Sequence, residues 1–484
     1  MNHIKRTAAA LCALSVCTAL TACGGSSSDS AAETGATTVS ETTAVTVELN
    51  TATVAEEDQE TLDEVADRML RDVELENKEV KWLAHYDINP NTASGTSESI
   101  NLNLFRTKYG GSVKYYATTW NGRYSDLSTY VLGGEGIDFF PCDTAALPKG
   151  IVSGMFQPVD EYIDIDSELW KDVKPAMEIY NFNGKHYELV NSVSAEQVVL
   201  YNKQTIEEHG FDDPWELYEE GNWNWDTFTQ MLEDFVDEDN EYYGLDGWYN
   251  EKALLLSAGV PSVTSENGRL KVNLNDPTIE KAMNWQYELN QKGLVLDLAK
   301  FDWSVNPQFM GEGKELFYLI GIWGVTGAPE VWESQIPPEQ LGIAPVPSPK
   351  GSDPYQSATL DGWVICKGAA NPEGVAILAE CTRLANTNDE AVAIGDKKLM
   401  EDAGWSEELL AHNKEINELA AKYPVVDLAT GVSTDVASLT TDGGAEIGLR
   451  AAFHGIDWAT TRDTISDVVV MLVDEVDQQL ESMS

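Results

Sequence analysis

An α/β fold in two domains is what this chain of 484 residues predicts, on three observations. Strand-like and helix-like stretches alternate with short gaps, the rhythm of parallel sheets covered by helices. About 400 residues remain once the amino-terminal stretch is set aside, more than one apolar core accommodates. Hydrophobic residues make up 43% of the chain, enough to pack such cores.

The elements follow in order. Val80–Ala84 reads as a strand, and residues 97–109 as a helix stopped by Gly110-Gly111. Val113–Thr118 is the next strand, Tyr124–Leu132 a helix ended by Gly133-Gly134, and Ile137–Cys142 a third strand. This repeat is that of doubly wound sheets. Gln197–Tyr201 is a strand feeding a helix around Ile206. Trp225–Phe235 is a helix with Asn224 as its N-cap. Asp276-Pro277 opens a helix through Leu289, with proline in the first turn. Leu316–Ile320 is a buried strand, and Asn371-Pro372-Glu373 opens a helix to Leu384. No solenoid-period repeat interrupts this order.

The amino terminus is different. Lys5 and Arg6 precede an uncharged, mostly apolar run over residues 7–22. That run is too short to span a bilayer and reads as a signal peptide over residues 1–22. Leu20-Thr21-Ala22-Cys23 resembles the lipobox of bacterial lipoproteins, which implies cleavage before Cys23 and lipidation (palmitate among the acyl chains) of that cysteine. Several acyl chains together hold a protein on a membrane. From Gly24 to Asp67 there is no lysine, arginine or aromatic residue, so residues 23–78 read as a tether, disordered to about residue 60 and then helical at Leu62, Val65, Met69 and Val73. The folded part is expected to start near Lys78.

Charge removes some functions. There are 81 acidic and 31 basic residues, a net charge of −50, which excludes a basic nucleic-acid surface. Beyond residue 23 the cysteines are Cys142, Cys366 and Cys381, an odd number that leaves at least one free thiol and suits burial as small apolar residues. There is no G-x-S-x-G, no H-E-x-x-H and no phosphate-binding Gly-Lys-Ser/Thr. The six histidines have no metal-ligand spacing, so neither a metal nor a cofactor is expected.

Tryptophan carries the positive signal. Many of the 14 stand beside Gly, Asn or Asp, as in Trp120-Asn121-Gly122, Gly247-Trp248, Asp302-Trp303, Ile322-Trp323-Gly324 and Asp361-Gly362-Trp363. A flat indole matches the apolar C–H face of a sugar, and neighbouring carboxylates bond its hydroxyls. Trp82, Trp170, Trp215, Trp225 and Trp285 are expected in the core.

From about Val80 onward the chain resembles the extracellular solute-binding proteins of ABC importers, in the branch of maltose- and oligosaccharide-binding proteins. The resemblance rests on Asn183–Leu189 (NGKHYEL), Val198–Lys203 (VVLYNK), Trp225–Phe228 (WDTF), Gly311–Trp323 (GEGKELFYLIGIW), Gly342–Pro347 (GIAPVP) and Ala370–Glu373 (ANPE). Two departures are Asn191-Ser192 in place of a proline and the insertion Gly221–Trp225 (GNWNW). The resemblance implies a type II periplasmic-binding-protein-like fold, two interleaved α/β lobes that close over a ligand by hinge bending. It implies one lobe from 79–193 plus 347–394 and another from 194–346 plus 395–484, with hinges near Asn191–Ala195, Ala344–Pro349 and Ile394–Lys397. Carried over residue by residue, it implies ligand contacts from Tyr86, Asp87, Trp120, Asp143, Glu196, Trp248, Trp303, Trp323, Asp361 and Trp363. It further implies no catalysis, an oligosaccharide ligand, ABC permease subunits as partners, a monomer, and a place on the outer face of the cell membrane. A surface glycan sensor or adhesin, or a glycosidase, are the alternative readings of the same residues.

Overall fold

The computed structural model describes residues 54–91, 98–248, 250–302, 304–322, 324, 336, 338–403, 405–440 and 448–483. The chain divides into a unit of residues 1–48, all outside the described residues, and a compact unit from Leu49 to Ser484. The expected leader, Cys23, the tether as far as residue 53, Trp303 and Trp323 lie outside the described residues.

The strands are β1 (Glu79–Ala84), β2 (Ser112–Ala117), β3 (Phe139–Pro141), β4 (Phe156–Gln157), β5 (Asn181–Phe182), β6 (Lys185–His186), β7 (Glu188–Ala195), β8 (Val198–Asn202), β9 (Tyr243–Gly247), β10 (Val263–Glu266), β11 (Arg269–Val272), β12 (Glu315–Ile320), β13 (Leu341–Ala344), β14 (Gln356–Cys366) and β15 (Pro424–Val425). Two larger sheets result. The first runs β15-β14-β3-β1-β2, with β4 and β7 also paired to β14. The second runs β13-β8-β12-β9. Two short hairpins, β5-β6 and β10-β11, complete the set. Asn183 and Gly184 turn the β5-β6 hairpin with φ of 56° and 71°, as a tight Asn-Gly turn requires.

Register fixes which strand ends meet. In the first sheet β1 is parallel to β2 and β3. β3 is antiparallel to β14, with Pro141 opposite Trp363, so the carboxyl ends of β1, β2 and β3 point toward the start of β14. β7 runs antiparallel to β14 and brings Ala195 opposite Ala358. Two residues later β8 begins the second sheet. There Ile320 of β12 pairs with Val198 of β8, and β9 is parallel to β12. The carboxyl ends of both sets of parallel strands therefore converge on the β7–β8 crossover.

Each sheet has its own apolar core. Trp82, Phe139, Phe140, Val364 and Ile365 lie in the first, and Val199, Leu200, Phe317, Leu319 and Ile343 in the second. Cys142, Cys366 and Cys381 are buried free thiols in the first core, as expected. The expected core tryptophans Trp82, Trp170, Trp215 and Trp225 are buried, and Trp285 is partly so. The expected caps form: Asn224 Oδ1 accepts from Asp226 N at 3.0 Å, Asp276 Oδ1 from Thr278 N at 2.7 Å, and Asn371 Oδ1 from Gly374 N at 2.9 Å.

Three expectations change. The body begins earlier than Lys78: a helix over Glu56–Met69 buries Leu62, Val65 and Ala66. That apolar stripe is short but complete, so the helix joins the first core instead of serving as a tether. Ile394–Lys397 is no hinge, because it lies inside the unbroken helix Asp389–Ala403. Residues beyond Val425 do not belong to the second lobe alone: Leu428, Val432, Val436, Trp458, Ile465 and Val473 pack in the first core. The last three of these lie on one long helix, Trp458–Ser482.

The inserted Gly221–Trp225 stretch has a structural use. Trp223 Nε1 donates to Pro345 O at 2.8 Å and Trp225 Nε1 to Pro347 O at 2.9 Å. Both indoles brace the segment that carries the chain from β13 back to β14. Gln356 closes the same segment, accepting from Val346 N and donating to Val346 O, each at 3.1 Å.

Candidate functional site

Loops after parallel strands face the converging end of the sheets, and they carry the expected residues. His85, Tyr86 and Asp87 follow β1, Trp120 stands three residues after β2, and Asp143 two residues after β3. Arg123, the first residue of the helix Arg123–Gly133, ties two of these loops together. Its Nε donates to Asp143 Oδ2 at 2.7 Å, and its Nη1 donates to the Trp120 carbonyl. The guanidinium lies 3.6 Å from the Trp120 ring centroid, a cation–π stack on one indole face. His85 meets the same indole edge-on at 4.9 Å. Tyr124 donates its hydroxyl to Asp143, and Ala145 N donates to Asp143 Oδ1 at 2.9 Å. Asp143 is thus a positioned carboxylate whose charge is met by Arg123.

Tyr86 and Asp361 complete this side. The Tyr86 hydroxyl is pushed up to about 12 by burial and by the Asp361 and Asp143 carboxylates, so it stays a neutral donor at neutral pH. Asp361 accepts from the Ser194 and Ser192 hydroxyls across the β7-β14 pairing. Crowding by the protein raises its carboxyl above the usual value, with the two serines opposing, yet water reaches it. Burial, then Arg123, lowers the His85 imidazole and holds it toward its neutral form, with Asp143 opposing.

Trp363 does not join them. It is only 9% exposed and packs 6.3 Å from Trp82 and 5.2 Å from Phe139. The cause is a register shift between Asp361 and Gly362. In a regular strand residues two apart share a face; a bulge between them breaks that alternation. Beneath the shift lies Glu188, fully buried, its carboxyl raised well above the usual range by burial and both its oxygens without a hydrogen-bond partner among the described residues.

The second sheet and the β7–β8 crossover contribute further residues. Trp248 follows β9 directly, and its N–H donates to Leu319 O at 2.9 Å. Glu196 follows β7 and accepts from Lys252 Nζ at 2.8 Å and from the Ser357 hydroxyl. Asp87 accepts from Asn89 N and Nδ2 at 2.9 and 2.8 Å and is exposed on the rim. Arg123, Ser192, Ser194, Tyr124 and Lys252 were not legible beforehand. The one available signal was that Arg123 opens a helix directly after the Trp120-Asn121-Gly122 loop.

Exposure singles out the aromatic residues among these. Tyr86, Trp120 and Trp248 are 44%, 52% and 42% exposed, and they are the large aromatic side chains among the exposed hydrophobic residues described. Among the described residues no group of histidine, cysteine and carboxylate side chains could hold a metal ion. Nor is any described helix long and apolar enough to cross a membrane.

Two sheets whose parallel strands end toward one crossover define the two-lobe fold of a binding protein. The chain belongs to the bacterial extracellular solute-binding protein family, whose model matches residues 89–380. No curated protein sequence matches it. Among solved structures it is similar to the ABC substrate-binding protein from Listeria monocytogenes in complex with cycloalternan, at 16% identity and a TM-score of 0.58, covering 83% of this chain and 99% of that one. It is similar also to the sugar-binding protein MalE from Xanthomonas citri, at 15% identity and a TM-score of 0.58, covering 84% and 98%. A third is the extracellular solute-binding protein from Staphylococcus aureus in complex with maltose, at 14% identity and a TM-score of 0.57, covering 83% and 100%. At these identities the likeness is one of fold.

Proposed function

We propose that this protein captures an oligosaccharide between its two lobes and hands it to the permease of an ABC importer, held to the outer face of the cell membrane through a lipidated Cys23. One observation carries the ligand class: the exposed aromatic residues Tyr86, Trp120 and Trp248 stand at the strand ends that converge on the crossover. Aromatic surface left bare beside hydrogen-bonding carboxylates suits a ring with apolar faces and a hydroxyl rim. The named saccharide complexes of the structural neighbours support the same class.

The site binds and does not react. Asp143 and Glu196 have their charges met by Arg123 and Lys252, which suits fixed hydrogen-bond acceptors. Closure strengthens those bonds by removing water from around them.

Titration with neutral oligosaccharides is the test, followed by tryptophan fluorescence and calorimetry. Trp120→Ala and Trp248→Ala should each weaken binding by about 2 kcal/mol, as for aromatic anchors. Ligand recovered intact by mass spectrometry after prolonged incubation is the expected outcome; cleaved ligand would make the protein a glycosidase. A saccharide panel without a binder, with peptides or polyamines binding instead, would overturn the reading.

A further inference from the structure

The charges around the cleft do not balance evenly. Arg123 is committed to Asp143 at 2.7 Å and stacked on Trp120. Lys252 is committed to Glu196 at 2.8 Å. His85, the third basic group beside the site, is held toward its neutral form by burial and by Arg123. Asp361 is the exception: its described partners are two serine hydroxyls, and no described lysine or arginine forms an ion pair with it. It remains wetted at the point where the β14 register shifts, and its charge reaches the Tyr86 hydroxyl.

We propose that Asp361 makes this cleft selective by charge: the saccharide it takes carries no acid group on the sugar ring facing Asp361, and an amine there strengthens binding over the neutral sugar. The inference rests on the oligosaccharide reading above. The physical basis is differential. A neutral sugar donates hydroxyls to Asp361, and a protonated amine donates a charge-assisted hydrogen bond that is stronger. A uronate would bring a second carboxylate against Asp361, which among the described residues has no lysine or arginine ion-paired to it to offset the charge. Closure makes that repulsion worse by lowering the local dielectric. The net charge of −50 acts in the same direction on approach.

Two matched tetrasaccharide series test this. One is β-1,4-linked: cellotetraose, its glucosamine analogue and its glucuronate analogue. The other is α-1,4-linked: maltotetraose and its glucuronate analogue. Calorimetry on the full-length body at pH 7 should show, within the series that binds, the uronate weaker than the neutral sugar by at least about tenfold. In the β series the glucosamine sugar should bind at least as tightly as the neutral one. Asp361→Asn should narrow the gap between neutral and uronate sugars by about tenfold, and Ser194→Ala, which keeps the charge, should preserve the gap. Uronates binding as tightly as neutral sugars to the unmutated protein would overturn the inference and leave the saccharide reading intact. A gap unchanged in Asp361→Asn would overturn the role of Asp361. No binding by any member of either series would overturn the saccharide reading, and this inference with it.

Discussion

At the residue scale, Trp120 shows how a bare indole is made into a rigid surface. Arg123 stacks on one face of the ring and His85 packs against it at a steep angle, while half of the side chain stays exposed. Arg123→Ala should lower affinity by about tenfold, because it frees the indole and leaves Asp143 without its cation. Arg123→Lys should fall between the two, since a lysine restores charge without the planar stack. Asp246 offers a second test. It is buried, accepts from Asn306 N at 2.7 Å, and burial raises its carboxyl from the ordinary 3.8 to about 6. The folded protein then holds a proton that the unfolded chain releases, so the contribution of Asp246 to stability is fully present below about pH 4 and is lost as pH rises through 6. Roughly two pKa steps correspond to about 3 kcal/mol. Asp246→Asn should flatten the denaturation midpoint across pH 4–6; an unchanged slope would refute this account.

At the level of elements, caps were readable and bulges were not. Asn224, Asp276 and Asn371 announce helices because a cap is a local hydrogen bond between residues two or three apart. The pairing of Arg123 with Asp143 joins loops after different strands, and it depends on a register that the sequence does not print. The same holds for Trp363, whose face is decided by a single shift at Asp361/Gly362. The crossover inserts are a third case: the GNWNW stretch looked like a departure, and its indoles turned out to brace residues 345–348. Trp223→Phe keeps the ring and loses the bond to Pro345, so it should cost about 1 kcal/mol in unfolding, and more where the freed carbonyl stays dry. The helix Glu56–Met69 is the element most easily mistaken for a linker. Leu62→Ala there should cost about 2–5 kcal/mol, the range for an emptied core leucine, and a linker would cost nothing.

For the whole molecule, two sheets joined at β7–β8 and β13–β14 form the frame for closure. Small-angle scattering should show a smaller radius of gyration with a bound saccharide than without. A net charge of −50 spread over one body is self-repelling, so added salt should raise its thermal midpoint. The helix Glu56–Met69 has one more effect. It is laid alongside the helix Ile100–Tyr109, with Gln59 bonded to Asn103 and Asp67 to Lys108, so the two run in the same direction. Ile100 follows β1 and Tyr109 precedes β2, which sets the start of both helices at the carboxyl ends of the parallel strands. The residues that precede β1 therefore help to close the first core, and removing them would bare the apolar side of the helix Ile100–Tyr109.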